Sequence, residues 1–112
     1  MTEHDIQNQI LQYIPLRGGI AIRVNSGSVL VKRAEKTYRY LGAEPGTSDI
    51  IGLYRTRFLA IEVKKGRGLP TREQLRFLDT VHECGGVGIV AYSLDDVISM
   101  LDEIDKKMET KP

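Results

Sequence analysis

Asp49-Ile50-Ile51-Gly52-Leu53-Tyr54, then Arg55-Thr56-Arg57, then Phe58-Leu59-Ala60-Ile61-Glu62-Val63-Lys64 is the stretch whose reading decides the fold. Both outer runs have strand length and are rich in Ile, Leu, Val, Tyr and Phe, and the polar triplet between them predicts an antiparallel hairpin. Side chains alternate across a strand, so Phe58, Ala60, Glu62 and Lys64 share one face while Leu59, Ile61 and Val63 take the other. A hairpin closed at residues 55 to 57 sets Asp49 opposite the end that carries Glu62 and Lys64. Two carboxylates and an ammonium then converge, with the small Ala60 leaving room beside them. Stability does not explain that placement, because burying unpaired charge is costly or forces neutralisation. Chemistry does.

Two convergent carboxylates with backbone carbonyls nearby suit a hard cation such as Mg2+ or Mn2+, which takes oxygen ligands and keeps waters for substrate or nucleophile. A cation on Asp49 and Glu62 would polarise a phosphate oxygen and lower the pKa of a bound water, and Lys64 would offset developing charge or orient that water. Zinc is not supported, since the chain has one cysteine, Cys84, and two separated histidines, His4 and His82. The plainer alternative is an exposed hairpin in which Glu62 and Lys64 are ordinary solvated residues and Asp49 merely begins a strand after a turn.

Outward from the hairpin, Lys65-Gly66-Arg67-Gly68-Leu69-Pro70 forms a basic loop, and Thr71-Arg72-Glu73-Gln74 opens an amphipathic helix. The apolar positions Leu75, Leu78, Val81 and Cys84 recur at helical spacing up to the Gly85-Gly86 stop. Gln74 has two readings. It can close a Thr-x-x-Gln capping box onto Thr71, or it can reach the metal site or a phosphate from the first helical turn. The two are compatible.

Gly46-Thr47-Ser48-Asp49, Phe58-Leu59-Ala60-Ile61-Glu62-Val63-Lys64, Thr71-x-x-Gln74 and Gly85-Gly86 before a final strand together resemble the VRR-NUC domain, a branch of the PD-(D/E)XK nuclease superfamily, in its stand-alone viral and bacterial type. Glu3 in an opening helix with Ile6, Gln7 and Ile10, followed by Arg23-Val24-Asn25-Ser26-Gly27, is similar to that family's amino-terminal part. The resemblance implies that Asp49 and Glu62 are metal ligands with the Val63 carbonyl as a third, that Lys64 is catalytic, and that Gln74 and Glu3 are accessory site residues. Many superfamily members carry Pro before the Asp; here it is Ser48.

At 112 residues and 41% hydrophobic, the chain supports one small domain, expected over residues 1–105 with a frayed tail over 106–112. No apolar run approaches the ~20 residues of a membrane span and no signal-peptide pattern opens the chain, so a cytoplasmic protein is expected, in the host cell if phage-encoded. The lone Cys84 fits a reducing compartment and reads as a small packed side chain. The formal net charge is only +1, yet residues 17–76 hold thirteen bases against five acids, +8, while the flanks hold three against ten, −7. Bases concentrated around the proposed site can neutralise phosphates and give salt-dependent affinity. Arg23, Asn25, Arg39, Lys65, Arg67 and Arg72 are the expected nucleic-acid contacts; the alternative is that some of these bases are merely solvated faces of strands and loops.

The rest of the chain supplies scaffold. Thr2 or Asp5 can cap a first helix running to about Arg17, with Ile6, Ile10, Leu11 and Ile14 on one stripe and Pro15 in the last turn. Ile20 to Asn25 reads as a strand, and 29–32 and 37–41 as two shorter ones in which Tyr38 and Tyr40 share a face, for packing or for stacking on bases. Ile89-Val90-Ala91-Tyr92 reads as a buried strand, and Val97, Ile98, Leu101 and Ile104 stripe a closing helix with an acidic outer face. The order predicts an α/β fold with a mixed sheet flanked by helices, and by resemblance a restriction-endonuclease-like three-layer αβββαβ core. The expected function is a Mg2+- or Mn2+-dependent, structure-selective DNA endonuclease without a nucleotide cofactor. By analogy with stand-alone relatives it would resolve four-way (Holliday) junctions as a homodimer. The alternatives are a non-catalytic nucleic-acid-binding module on a nuclease-like fold, and a sequence-specific restriction-type nuclease.

Overall fold

The computed structural model describes residues 1–24, 28–41 and 46–109, with the backbone alone at 28–31, 33 and 38–41. Its elements are α1 (Glu3–Leu16), β1 (Ile20–Arg23), β2 (Ser28–Arg33), β3 (Lys36–Leu41), β4 (Ile50–Tyr54), β5 (Arg57–Val63), α2 (Arg72–Glu83), β6 (Val87–Ala91) and α3 (Leu94–Glu109). The hairpin of β4 and β5 sits in the middle of a four-stranded sheet of order β1-β4-β5-β6. β1 and β5 run antiparallel to β4, and β6 lies parallel to β5 across the α2 crossover, so the sheet is mixed. The hairpin closes over two residues rather than three: Arg57 already pairs with Tyr54, and Arg55 and Thr56 make the turn with φ of 48° and 70°. A two-residue turn with both φ positive matches the twist of the flanking strands.

Alternation sorts the side chains as the sequence predicts. Leu59, Ile61 and Val63 join Ile50 and Tyr54 in the main core, where they meet Ile6, Ile10 and Ile14 of α1 and Val97, Met100, Leu101 and Ile104 of α3. Ala60 faces the other way, against Leu78 and Val81 of α2. The result is two helices, a sheet and one helix in layers. Because α2 covers β5 and β6 alone, the β1 and β4 half of its face is bare: Ile20, Ile22, Leu53 and Phe58 are 40–53% exposed. Gly52 lies between them where the strands come closest, and a Cβ there would fall 2.1 Å from the Ile20 carbonyl oxygen.

Helix ends follow local chemistry. Thr2 and Asp5, expected as alternative caps of α1, act together: Thr2 Oγ1 accepts from the Asp5 N–H at 3.0 Å and Asp5 Oδ2 accepts from the Thr2 N–H at 2.8 Å. β1 ends at Arg23, and the Val24 N–H then donates to the Asp49 carbonyl at 2.8 Å; Asn25, the last residue of the expected strand, lies outside the described residues. β2 and β3 pair with each other as a separate two-stranded sheet inserted between β1 and β4. α3 continues past residue 105 to Glu109, so the expected tail is helical at 106–109. Met108 packs on the main core, and Lys106 and Lys107 in the last turn complement the helix dipole.

Leu78 and Val81 of the expected α2 stripe face the sheet, but its two end positions, Leu75 and Cys84, do not. Both are exposed, and Phe77 packs with Leu78 and Val81 instead. The acidic side of α3 is likewise more than solvated charge. Arg17 bonds Asp102 at 3.0 Å and Asp105 at 2.9 Å, while Tyr54 and Arg55 reach the other Asp105 oxygen at 2.8 and 3.0 Å. One carboxylate thus ties α1, the hairpin turn and α3, and the Tyr54 hydrogen bond holds Asp105 below its usual titration range. No helix among the described residues is long and apolar enough to cross a membrane.

Candidate active site

The β4 and β5 pairing brings Asp49 alongside the last residues of β5, where its Oδ2 accepts the Val63 N–H at 2.8 Å. A strand residue presents its N–H and C=O towards the same neighbour, so the Val63 carbonyl lies on the Asp49 side. Glu62 points from β5 to the α2 layer and is 2% exposed. Its Oε2 accepts from Gln74 Nε2 at 3.0 Å and stands 4.0 Å from Lys64 Nζ. Its Oε1 is buried with no hydrogen-bond partner among the described residues. Asp49 is half-buried and the Lys64 side chain 17% exposed, so solvent reaches the site past these two rather than past Glu62.

Gln74 closes the expected capping box and also reaches Glu62. Its Oε1 accepts from the Thr71 N–H at 2.7 Å while its own N–H donates to Thr71 Oγ1 at 3.1 Å, which closes the capping box. That arrangement turns the remaining amide nitrogen outwards to Glu62. The start of α2 is therefore fastened to the acid on β5 through one side chain.

The electrostatics of Glu62 follow from its surroundings. Burial first, then the neighbouring Asp49 carboxyl and its charge, push its carboxyl up to about 8, against an opposing pull from Lys64; Glu3, in the first turn of α1, adds to the rise. The three acids are close enough to feel one another, and a carboxylate raised by a like charge is the signature of a pair sharing a site. A cation between Asp49 and Glu62 inverts that logic, since its charge favours both ionised forms.

The donor set fits a hard divalent ion. Among the described residues no group of three or more His, Cys, Asp or Glu gathers to cage a metal. What exists is a carboxylate pair, one member with an unpartnered buried oxygen, beside a backbone carbonyl. Magnesium takes one or two carboxylates and fills its remaining positions with water or phosphate oxygens, so a complete protein cage is not required.

The expected nucleic-acid contacts are spread around this centre. Lys65, Arg67 and Arg72 are exposed and make no ion pair among the described residues. Arg23 is held by neutral amides, Nε to Gln7 Oε1 at 3.1 Å and a terminal nitrogen to Asn8 Oδ1 at 2.6 Å, so its charge stays uncompensated on an exposed side chain. Asn25, and the side chains of Arg39, Tyr38 and Tyr40, lie outside the described residues.

Sequence reasoning missed Ser48. It is 1% exposed and its Oγ is buried without a partner directly before Asp49. The sequence carries no signal of this beyond the departure from Pro. No protein-family model matches the chain, and no curated protein matches it either.

Proposed function

We infer that the protein is a divalent-cation-dependent DNA endonuclease of the PD-(D/E)XK kind, with a VRR-NUC-like arrangement and a restriction-endonuclease-like core. The observation that carries this reading is the buried Glu62, with one oxygen unpartnered, set against Asp49 and within 4.0 Å of the Lys64 ammonium. A structural ion pair would satisfy both carboxylate oxygens or place them in solvent; here neither holds. With the β2 and β3 arm and the closing α3 set aside, the order of α1, the antiparallel strands β1, β4 and β5, α2 and the parallel β6 supports the fold assignment.

Asp49 and Glu62 would hold the cation, with the Val63 carbonyl beside them. When bound, Mg2+ or Mn2+ supplies Lewis-acid polarisation of the phosphate and a water acidic enough to attack at neutral pH. In the net reaction water oxygen bonds to phosphorus, one P–O ester bond breaks, and the departing sugar oxygen takes a proton. Lys64 Nζ, beside Glu62, is placed to stabilise the negative charge that grows on the phosphate oxygens. Gln74 fixes the Glu62 carboxylate through Oε2, which leaves Oε1 free to face the cation. Lys65, Arg67 and Arg72 would hold the backbone on either side of the scissile phosphate.

The substrate class is branched DNA and the working form a homodimer, which on the family resemblance puts two such sites on opposing strands of a four-way junction. The test is cleavage of flap, fork, four-way and linear DNA with Mg2+ or Mn2+, paired with a mass measurement in solution. Glu62→Ala and Lys64→Ala are expected to lower turnover by at least about 10²-fold while leaving folding and DNA binding intact. Metal-dependent cutting retained in both variants refutes the assignment.

A further inference from the structure

A cavity lies beside the start of the loop that follows Lys64. It measures about 480 Å³ and lies between the start of α1 and the turn from β6 into α3, with Ile6, Gln9, Lys65, Tyr92, Leu94 and Asp95 in its walls. Three connections tie it to the carboxylates. Lys65 directly follows Lys64, whose N–H donates to the Ala91 carbonyl at 3.0 Å, next to Tyr92. Glu3, which acts electrostatically on Glu62, opens the helix that supplies Ile6 and Gln9. Tyr92 Oη donates to the Gly68 carbonyl at 3.0 Å, so the tyrosine also braces the basic loop.

The wall chemistry selects among the parts of a nucleic acid. Asp95 puts an anion in the wall against two cations, Lys65 and the Met1 amino group, so the lining is mixed in charge rather than a purely basic phosphate site. Ile6 and Leu94 offer an apolar floor and Tyr92 an aromatic ring 38% exposed. The Gln9 amide has both a donor and an acceptor, and the Asp95 carboxylate accepts from an amino group, the equipment for the polar edge of a base. The volume lies within the range of small-ligand sites and exceeds what one stacked side chain needs.

We propose that this cavity receives one unpaired nucleobase of the DNA strand next to the scissile phosphate, with Lys65 on the adjoining phosphate and Tyr92 against the base. The proposal rests on the nuclease reading for taking the bound strand as substrate, and it names how structure is read. A base in continuous duplex must leave its stack to enter, whereas one at a branch point has already lost its partner, so the cavity favours branched DNA without any sequence code. Stacking on an aromatic tolerates every base, as a structure-selective protein requires.

The experiment measures fluorescence anisotropy of labelled four-way and flap DNA in EDTA, and cleavage of the same DNA in Mn2+. Each substrate is made intact and with an abasic site at the nucleotide flanking the cut, or flanking the branch where no cut occurs. Protein variants are Tyr92→Ala, Tyr92→Phe and Gln9→Trp. An abasic site, Tyr92→Ala, and the bulk of Gln9→Trp are each expected to weaken binding of branched DNA about ten-fold and to leave linear duplex unchanged. Tyr92→Phe keeps the ring, removes the hydrogen bond to Gly68, and is expected to bind as wild type; if it fails as Tyr92→Ala does, loop bracing explains the residue and the proposal falls. Equal binding of intact and abasic branched DNA by the wild-type protein also overturns it. If nothing is cut in any metal, the nuclease reading fails, and the anisotropy arm still decides the base site by the same comparison.

Discussion

Replacing Glu62 by Gln tests the physics of the centre without requiring that its chemistry be known. The amide keeps an oxygen for Gln74 Nε2 and places a donor where Oε1 has no partner, at the cost of no volume. In the metal-free protein the native carboxyl is moved from its ordinary 4.5 up to about 8, chiefly by burial and by Asp49. The folded pKa is raised, so the sign is that of a destabilising acid. Below about pH 4.5 the group is protonated in both folded and unfolded chains and contributes nothing. Between 4.5 and 8 the unfolded chain releases its proton first, and stability falls as pH rises, reaching its full loss above 8. Each tenfold change in proton affinity is about 1.36 kcal/mol, which sets a ceiling of about 5 kcal/mol. The buried amide N–H left without a partner takes back about 1–3 kcal/mol of that, so roughly 2–3 kcal/mol is the expected gain for Glu62→Gln at pH 8.5. For a domain of this size that is on the order of 10 °C in Tm. Urea and thermal unfolding in EDTA at pH 4.5 and 8.5 measure it, and the gain should vanish at the lower pH. Added Mg2+ or Mn2+ at pH 8.5 should stabilise the wild-type protein and leave the variant unmoved. A variant that is less stable than wild type in EDTA at pH 8.5, or equally shifted at both pH values, refutes the account of a strained, cation-seeking carboxylate.

Gln74→Ala removes half of the α2 capping box and the partner of Glu62 Oε2 together, and is expected to cost about 1–3 kcal/mol in urea unfolding. Thr56 occupies a turn position with φ of 70°, so Thr56→Gly should raise stability by about 1 kcal/mol in the same assay; a decrease would mean the turn is not of this type. Neutralising Lys65, Arg67 and Arg72 together should weaken binding of all DNA sequences alike and flatten the logarithmic salt dependence by about 0.9 for each phosphate that these side chains neutralise in the wild-type complex. An unchanged slope would place the DNA on another face.

The hairpin, its facing and the order of elements could be read from the chain because strict alternation in β5 leaves one consistent placement: Leu59, Ile61 and Val63 inwards, Ala60 and Glu62 towards α2. The meeting of Asp49 with the end of β5 follows from that register alone. Helical phase was less legible. Leu75 and Phe77 both suit an apolar stripe of α2, and only the position of the sheet decides that Leu75 faces water. The Arg17, Tyr54, Arg55 and Asp105 cluster joins residues far apart in sequence, whose charges look like ordinary solvated ones until the chain closes on itself. Gln74 could be read as cap and as a residue reaching the carboxylates together, but a linear string does not reveal that its Oε1 would go to Thr71 and its Nε2 to Glu62.

The hydrogen bond from the Val24 N–H to the Asp49 carbonyl closes the chain on itself around the β2 and β3 arm. Everything between those two residues is topologically a loop on the sheet, and the entropic penalty of lengthening such a loop grows only logarithmically. A change in the arm's length would thus cost little while the sheet beneath it stays put. Its root, however, is the very residue that carries the acid.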